Sequence, residues 1–119
     1  MHKTADLITA AVEIGAALAG APRADFENIA AFGREIGLCF QIADDILDVE
    51  GDKKKLGKSG SDARNRKLTC ASLLGVDEAR RRAEELLRLA LSRLAEVKGS
   101  PAAKEALAGI SRFICRREN

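Results

Sequence analysis

The chain has 119 residues, a formal charge of +2 and 46% hydrophobic residues. That length suits a single domain, residues 1–119, burying roughly two-thirds of its unfolded surface, and the hydrophobic content argues against disorder. So small a net charge makes no case for nucleic acid or an anionic membrane, no apolar run reaches the roughly 18 residues of a membrane span, and no signal-peptide pattern follows Met1.

From Thr4 to about Ala19 apolar positions recur at helical spacing (Leu7, Ile8, Ala11, Val12, Ile14, Gly15, Leu18), and Gly20 and Pro22 close that helix. A longer helix is predicted from about Ala24 to Val49. Its stretch Phe40-Gln41-Ile42-Ala43-Asp44-Asp45-Ile46-Leu47-Asp48-Val49 organises the chain. At roughly 100° per residue, Gln41, Asp44, Asp45 and Asp48 fall within an arc about 100° wide. Apolar residues fill the rest of the circumference, so the helix is expected to be buried on most sides. Clustered carboxylates repel unless cations sit among them. Oxygen donors with no His or Cys among them suit Mg²⁺, which keeps several waters and shares its shell with a substrate phosphate. The plainer alternative is a solvated acidic stripe. Upstream on the same wheel, Ala30, Gly33 and Gly37 lie on or beside the stripe, leaving either room above the acids or a close approach by a second helix.

Gly51 to Lys67 reads as the least regular segment. Seven basic residues (Lys53, Lys54, Lys55, Lys58, Arg64, Arg66, Lys67) stand against Asp52 and Asp62. Gly51, Gly57 and Gly60 loosen it. Such a loop either swings cations toward a phosphate or is simply solvated; without an interleaved aromatic it is a poor nucleic-acid binder. A short helical piece from Leu68 to Leu74 ends at Gly75. Asp77 is predicted to cap a helix running to about Val97, with Ala79, Ala83, Leu86, Leu87, Ala90, Leu91 and Leu94 on one face. Gly99-Ser100-Pro101 stops it and starts a last helix, Ser100 as cap and Pro101 as first residue, expected to bury Leu107, Ile110, Phe113 and Ile114. No alternating run reads as a strand. The class is all-α, a bundle of about five helices.

The remaining counts narrow the chemistry. Cys39, Cys70 and Cys115 are scattered and odd in number, which argues against a disulfide framework; Cys39 and Cys115 suit core positions. One His, no Trp and no Tyr nearly exclude His-based triads and His-rich metal sites. The expected compartment is the cytoplasm.

The order of features then becomes specific. Lys3-Thr4 opens a helix, Gly37-Leu38-Cys39-Phe40-Gln41-Ile42 leads into Asp44-Asp45-Ile46-Leu47-Asp48, and Leu56-Gly57-Lys58, Gly60-Ser61-Asp62 and Arg66-Lys67-Leu68-Thr69 follow. Over nearly its whole length the chain resembles the C-terminal part of the trans-isoprenyl diphosphate synthases, the farnesyl and geranylgeranyl diphosphate synthase family. The resemblance implies part of the isoprenoid synthase fold and makes Asp44, Asp45 and Asp48 a second aspartate-rich motif. In that motif the first aspartate chiefly binds Mg²⁺ bridging to an allylic diphosphate. It matches Lys3, Lys58 and Lys67 to lysines on that diphosphate, and Thr4 and Gln41 to polar residues at the reacting centre. The implied reaction joins the allylic diphosphate to isopentenyl diphosphate.

The departures are as informative. Family members are roughly twice this length or more, and the resemblance implies a missing N-terminal portion carrying the first aspartate-rich motif, the isopentenyl diphosphate site and the positions that set product length. The only D-D-x-x-D here is at Asp44. Ser61 stands where many members have Lys, and Cys70-Ala71 replaces a frequent aromatic-Pro pair. Two readings follow: a prenyltransferase part inactive alone, or a non-catalytic helical module or partner subunit. Either way, apolar faces without their usual cover predict a homo-oligomer or association with the missing portion.

Overall fold

The computed structural model describes residues 2–56 and 74–116. They form four helices: α1 (His2–Leu18), α2 (Arg23–Leu56), α3 (Val76–Glu96) and α4 (Pro101–Cys115). No strand occurs among the described residues, so the class is all-α as expected. Nearly all of the short piece predicted at Leu68 to Leu74 lies outside them.

Helix α2 is the axis. Its 34 residues, at about 1.5 Å rise each, account for the longest of the molecule's extents, 53 × 22 × 20 Å. Helices α1, α3 and α4 all pack against it, and α1 packs against nothing else among the described residues. The first junction ends as the sequence predicts. Gly20 adopts φ 69°, its N–H donates to Ala17 O, and Ala21 N–H donates to Ala16 O, both at 3.1 Å. This left-handed glycine closure satisfies the last carbonyls of α1.

Three features differ from the sequence reading. Helix α2 continues beyond Val49, through Gly51, to Leu56. One interior glycine costs a helix only about 1 kcal/mol, and the lysines and leucine that follow are good helix formers. Asp77 is not a cap: Gly75 holds that position with φ 91°, and the helix starts at Val76. Asp77 and Glu78 sit inside the first turn, where their charges still meet the positive end of the helix dipole. The third concerns α4, which buries Ala108, Ser111 and Cys115, leaving Ile110 and Phe113 exposed. Leu107 and Ile114 only flank the contact. Small residues on the contact line let α4 come close, so its wider apolar arc is not all covered.

The predicted α4 start holds. Ser100 Oγ accepts from Ala103 N at 3.0 Å and Pro101 follows it. Lys104 Nζ donates to Ala95 O and Val97 O, serving the last carbonyls of α3. Buried Asp25 at the start of α2 accepts from Lys98 N at 3.3 Å.

The main core gathers Phe32, Ile36 and Cys39 of α2 with Leu87, Ala90 and Leu94 of α3 and Ala108 and Cys115 of α4. The face predicted for α3 is the observed one: Ala79, Ala83, Leu87, Ala90 and Leu94 are buried. Alanines there set α3 close to α2, and Leu87 fills the gap between them. A clamp beside the core was not foreseen: Arg93 donates to the buried carboxylate of Glu35, Nε at 3.1 Å and Nη2 at 3.0 Å. A smaller cluster of Ile46, Val49 and Ala79, with Ile42 and Val76 against it, lies under the acidic half of α2.

Candidate functional site

Seating of α1 defines the site. A Cβ placed on Gly33 would come within 2.6 Å of Val12 Cγ2 and 3.1 Å of Thr9 Cα; on Gly37 it would come within 3.0 Å of Ala5 Cα. These glycines are therefore the floor on which α1 rests, which decides between the two roles the sequence left open. Pairing Gly33 with Thr9 and Val12, and Gly37 with Ala5, makes the helices antiparallel.

One stripe of α2 therefore has two fates. Along Ala30, Gly33 and Gly37 it is covered by α1. Beyond the first turn of α1 the same stripe emerges as Gln41, Asp44, Asp45 and Asp48. Asp44, Asp45 and Gln41 are partly buried there, and Asp48 is exposed. The Ile42, Ile46 and Val49 cluster holds the opposite side of the helix down on α3. Lys3 and Thr4 stand one turn or less from Ala5, at the end of α1 nearest these acids. Helical side chains lean toward their own N-terminus, which here is toward Gln41 and Asp44. Lys3 is exposed and Thr4 partly buried. Lys58 and Lys67 lie outside the described residues.

The electrostatics fit a cation site that the described residues alone leave incomplete. Burial first, then the charges of Asp48 and Asp44, push the Asp45 carboxyl above its ordinary value. Gln41 Nε2 is buried and has no hydrogen-bond partner among the described residues, leaving an amide donor free on the acidic stripe. Yet no three acidic, His or Cys side chains converge closely enough among the described residues to hold a metal ion by themselves. Helix geometry explains this: Asp44 and Asp48 stack four apart, while Asp45 points about 100° away from Asp44. Mg²⁺ does not need a full protein cage, because one or two carboxylates, waters and substrate phosphates complete its shell. The donor set and the unsatisfied amide are thus suited to Mg²⁺ shared with a phosphate-bearing ligand.

Beside the stripe, a groove of about 770 Å³ opens between α2 and α3, with Leu38, Ile42, Leu86 and Leu89 among its walls. Leu38, Ile42 and Asp45 follow one line of α2 at helical spacing, so the groove leads toward the acids. Sequence periodicity alone could not reveal it, because it depends on how α3 sits.

The family model for polyprenyl synthetase matches residues 1–107. The chain belongs to the polyprenyl synthetase family. Among its relatives, it is 41% identical to the chloroplastic geranylgeranyl pyrophosphate synthase of Catharanthus roseus, over all of this chain and 33% of that protein. It is 45% identical to the farnesyl diphosphate synthase of Escherichia coli (strain K12), over 90% of this chain and 38% of that protein. It is 38% identical to the chloroplastic heterodimeric geranylgeranyl pyrophosphate synthase large subunit 1 of Arabidopsis thaliana, over all of this chain and 32% of that protein. This polyprenyl synthetase chain thus spans about a third of the length of the curated relatives it matches. No described helix is long and apolar enough to cross a membrane.

Proposed function

We propose that the chain is the allylic-diphosphate half of a prenyltransferase of isoprenoid biosynthesis, which condenses an allylic diphosphate with isopentenyl diphosphate. The observation that carries this reading is the unsatisfied Gln41 amide beside two partly buried carboxylates, Asp44 and Asp45. Asp44, supported by Asp45 and Asp48, would hold Mg²⁺, which when bound would supply electrostatic stabilisation of the departing diphosphate. Lys3, Lys58 and Lys67 bind that diphosphate. Thr4 and Gln41 border the reacting centre, and the Gln41 amide donates to a ligand oxygen. As the allylic carbon–oxygen bond breaks, its electron pair leaves with the diphosphate; the double bond of isopentenyl diphosphate attacks the allylic carbon, and loss of a proton completes one elongation.

Water must be kept from the reacting carbon, and the described residues do not close the cavity by themselves. Leu38 and Leu89 are exposed in the groove wall, and Leu7, Ile14 and Leu18 form an uncovered stripe along α1. That stripe supports association with the N-terminal portion of a synthase or with a second copy. It also favours the second reading, a non-catalytic partner subunit from the same family. The cytoplasm is the compartment we propose.

Turnover and binding together separate the readings. The purified chain is expected to give no condensation of dimethylallyl or geranyl diphosphate with isopentenyl diphosphate. It is expected to bind an unreactive allylic thiolodiphosphate by calorimetry only when Mg²⁺ is present, and Lys58→Ala should weaken that binding. Turnover abolished by Asp44→Ala would overturn the inactivity; absence of Mg²⁺-dependent heat would overturn the half-site and leave the partner-subunit reading.

A further inference from the structure

Two thiols meet where α2, α3 and α4 join. Cys39 has no exposed surface, and Cys115, the last residue of α4, keeps 6%. The Cys39 thiol donates to Ala83 O of α3 at 3.2 Å, and Arg116, next to Cys115, pairs with Glu84, next to Ala83, so both thiols sit at the same turn of α3. Both belong to the main apolar cluster, and both are free. Cys39 is about 160° around α2 from Gln41, so neither thiol serves the acidic stripe. Beside them, Arg116 grips Glu84 of α3 with two hydrogen bonds, Nε to Oε2 at 2.8 Å and Nη2 to Oε1 at 2.9 Å. This clamp fastens the end of α4 directly after Cys115.

We propose that Cys39 and Cys115 are a cross-link site, forming a reversible disulfide that locks α4 onto α2, with the Arg116–Glu84 pair as the gate. The oxidant is a small-molecule disulfide. When the last turn of α4 opens, the Cys115 thiolate attacks one sulfur of that disulfide and expels the other as a thiolate. Cys39 then gives up its proton and attacks the Cys115 sulfur of the mixed disulfide, expelling the second small thiolate. The protein pair loses two electrons, the small disulfide gains them, and the two thiol protons end on the two small thiols.

The closed state resists this chemistry. Hydrogen bonding to Cys115 and then burial hold the Cys39 thiol far above the usual thiol range, and the thiolate is the reactive form. Opening of the α4 end therefore sets the rate. The finished bond costs little, because Ala83 O gives up only a weak thiol donor, while closing a loop that spans α3 restrains the unfolded chain.

The test uses the Cys70→Ser chain, so that only this pair can react, incubated with oxidised glutathione. The expected product is a single chain lighter by two hydrogens, with Cys39 and Cys115 peptides joined and a melting temperature raised by several degrees, all reversed by dithiothreitol. Arg116→Ala should speed its formation severalfold without changing the product. Recovery of both thiols as alkylatable after unfolding, stable glutathione adducts, or cross-links between chains would each overturn the site. An unchanged rate in Arg116→Ala would overturn the gate.

Discussion

The two flanks of α2 are built in opposite ways. Toward α3 it is closed by interlocking side chains: Leu87, 1% exposed, wedged among alanines, with the Glu35–Arg93 clamp beside it. Toward α1 it is closed by an absence of side chains, with backbone nearly touching backbone at Gly37 and Ala5. The first arrangement is a finished core. The second seats a helix whose outer face, Leu7, Ile14 and Leu18, remains uncovered. The acidic stripe lies on the second flank, where α1 stops covering α2. A finished core fixes the acids' position, and the unfinished flank leaves Asp44 and Asp45 partly buried and Asp48 exposed.

The largest expected effect tests the closed flank. Leu87→Ala should cost about 2–5 kcal/mol, as large-to-small changes in packed cores do, read from urea unfolding. A loss below about 1 kcal/mol would mean that α3 is not held by this wedge.

The glycine flank comes next. Alanine normally gains up to about 1 kcal/mol over glycine inside a helix, and Gly51, with no atom within 4 Å of an added Cβ, should show that gain. Gly37→Ala should instead destabilise by about 1–3 kcal/mol, because overpacking against backbone outweighs propensity. If the two substitutions shift the denaturation midpoint in the same direction, α1 is not seated as described.

The smallest effect belongs to the stripe. Asp45 has a raised carboxyl in the folded chain, so its ionisation opposes folding above that raised value and costs nothing below the unfolded one. Asp45→Asn should therefore raise the melting temperature at pH 7 by roughly 1–2 °C, screening by solvent keeping the gain small. The difference should shrink as pH falls through the carboxylate range. A lower melting temperature at pH 7 would show that the acids stabilise the isolated chain, contrary to a site kept for a ligand.

Much of this was legible in the sequence because it is local. Helical periodicity marks α3 and its buried face, Gly20 and Ser100-Pro101 mark chain reversals, and a 100° wheel gathers Gln41 with the three aspartates. The string from Phe40 to Lys58 carried the family. What escaped depends on contacts between distant segments. Nothing near Gly37 says that Ala5 lies against it, and nothing near Cys39 announces Cys115. Apolar periodicity on α4 overstated burial, because Ile110 and Phe113 belong to an apolar arc wider than the surface that covers it. The end of α2 lies beyond the predicted one because Gly51, a single glycine, is only a modest cost to a helix.

The Gln41 side-chain amide gives the most direct test of the central claim, that the stripe is completed by a metal-bound diphosphate. Its nitrogen-15 NMR signals should shift when Mg²⁺ and an unreactive allylic thiolodiphosphate are added together, hardly respond to either alone, and stay unmoved in Asp44→Ala. A signal indifferent to the pair in the parent chain, or shifting equally in Asp44→Ala, would contradict the account.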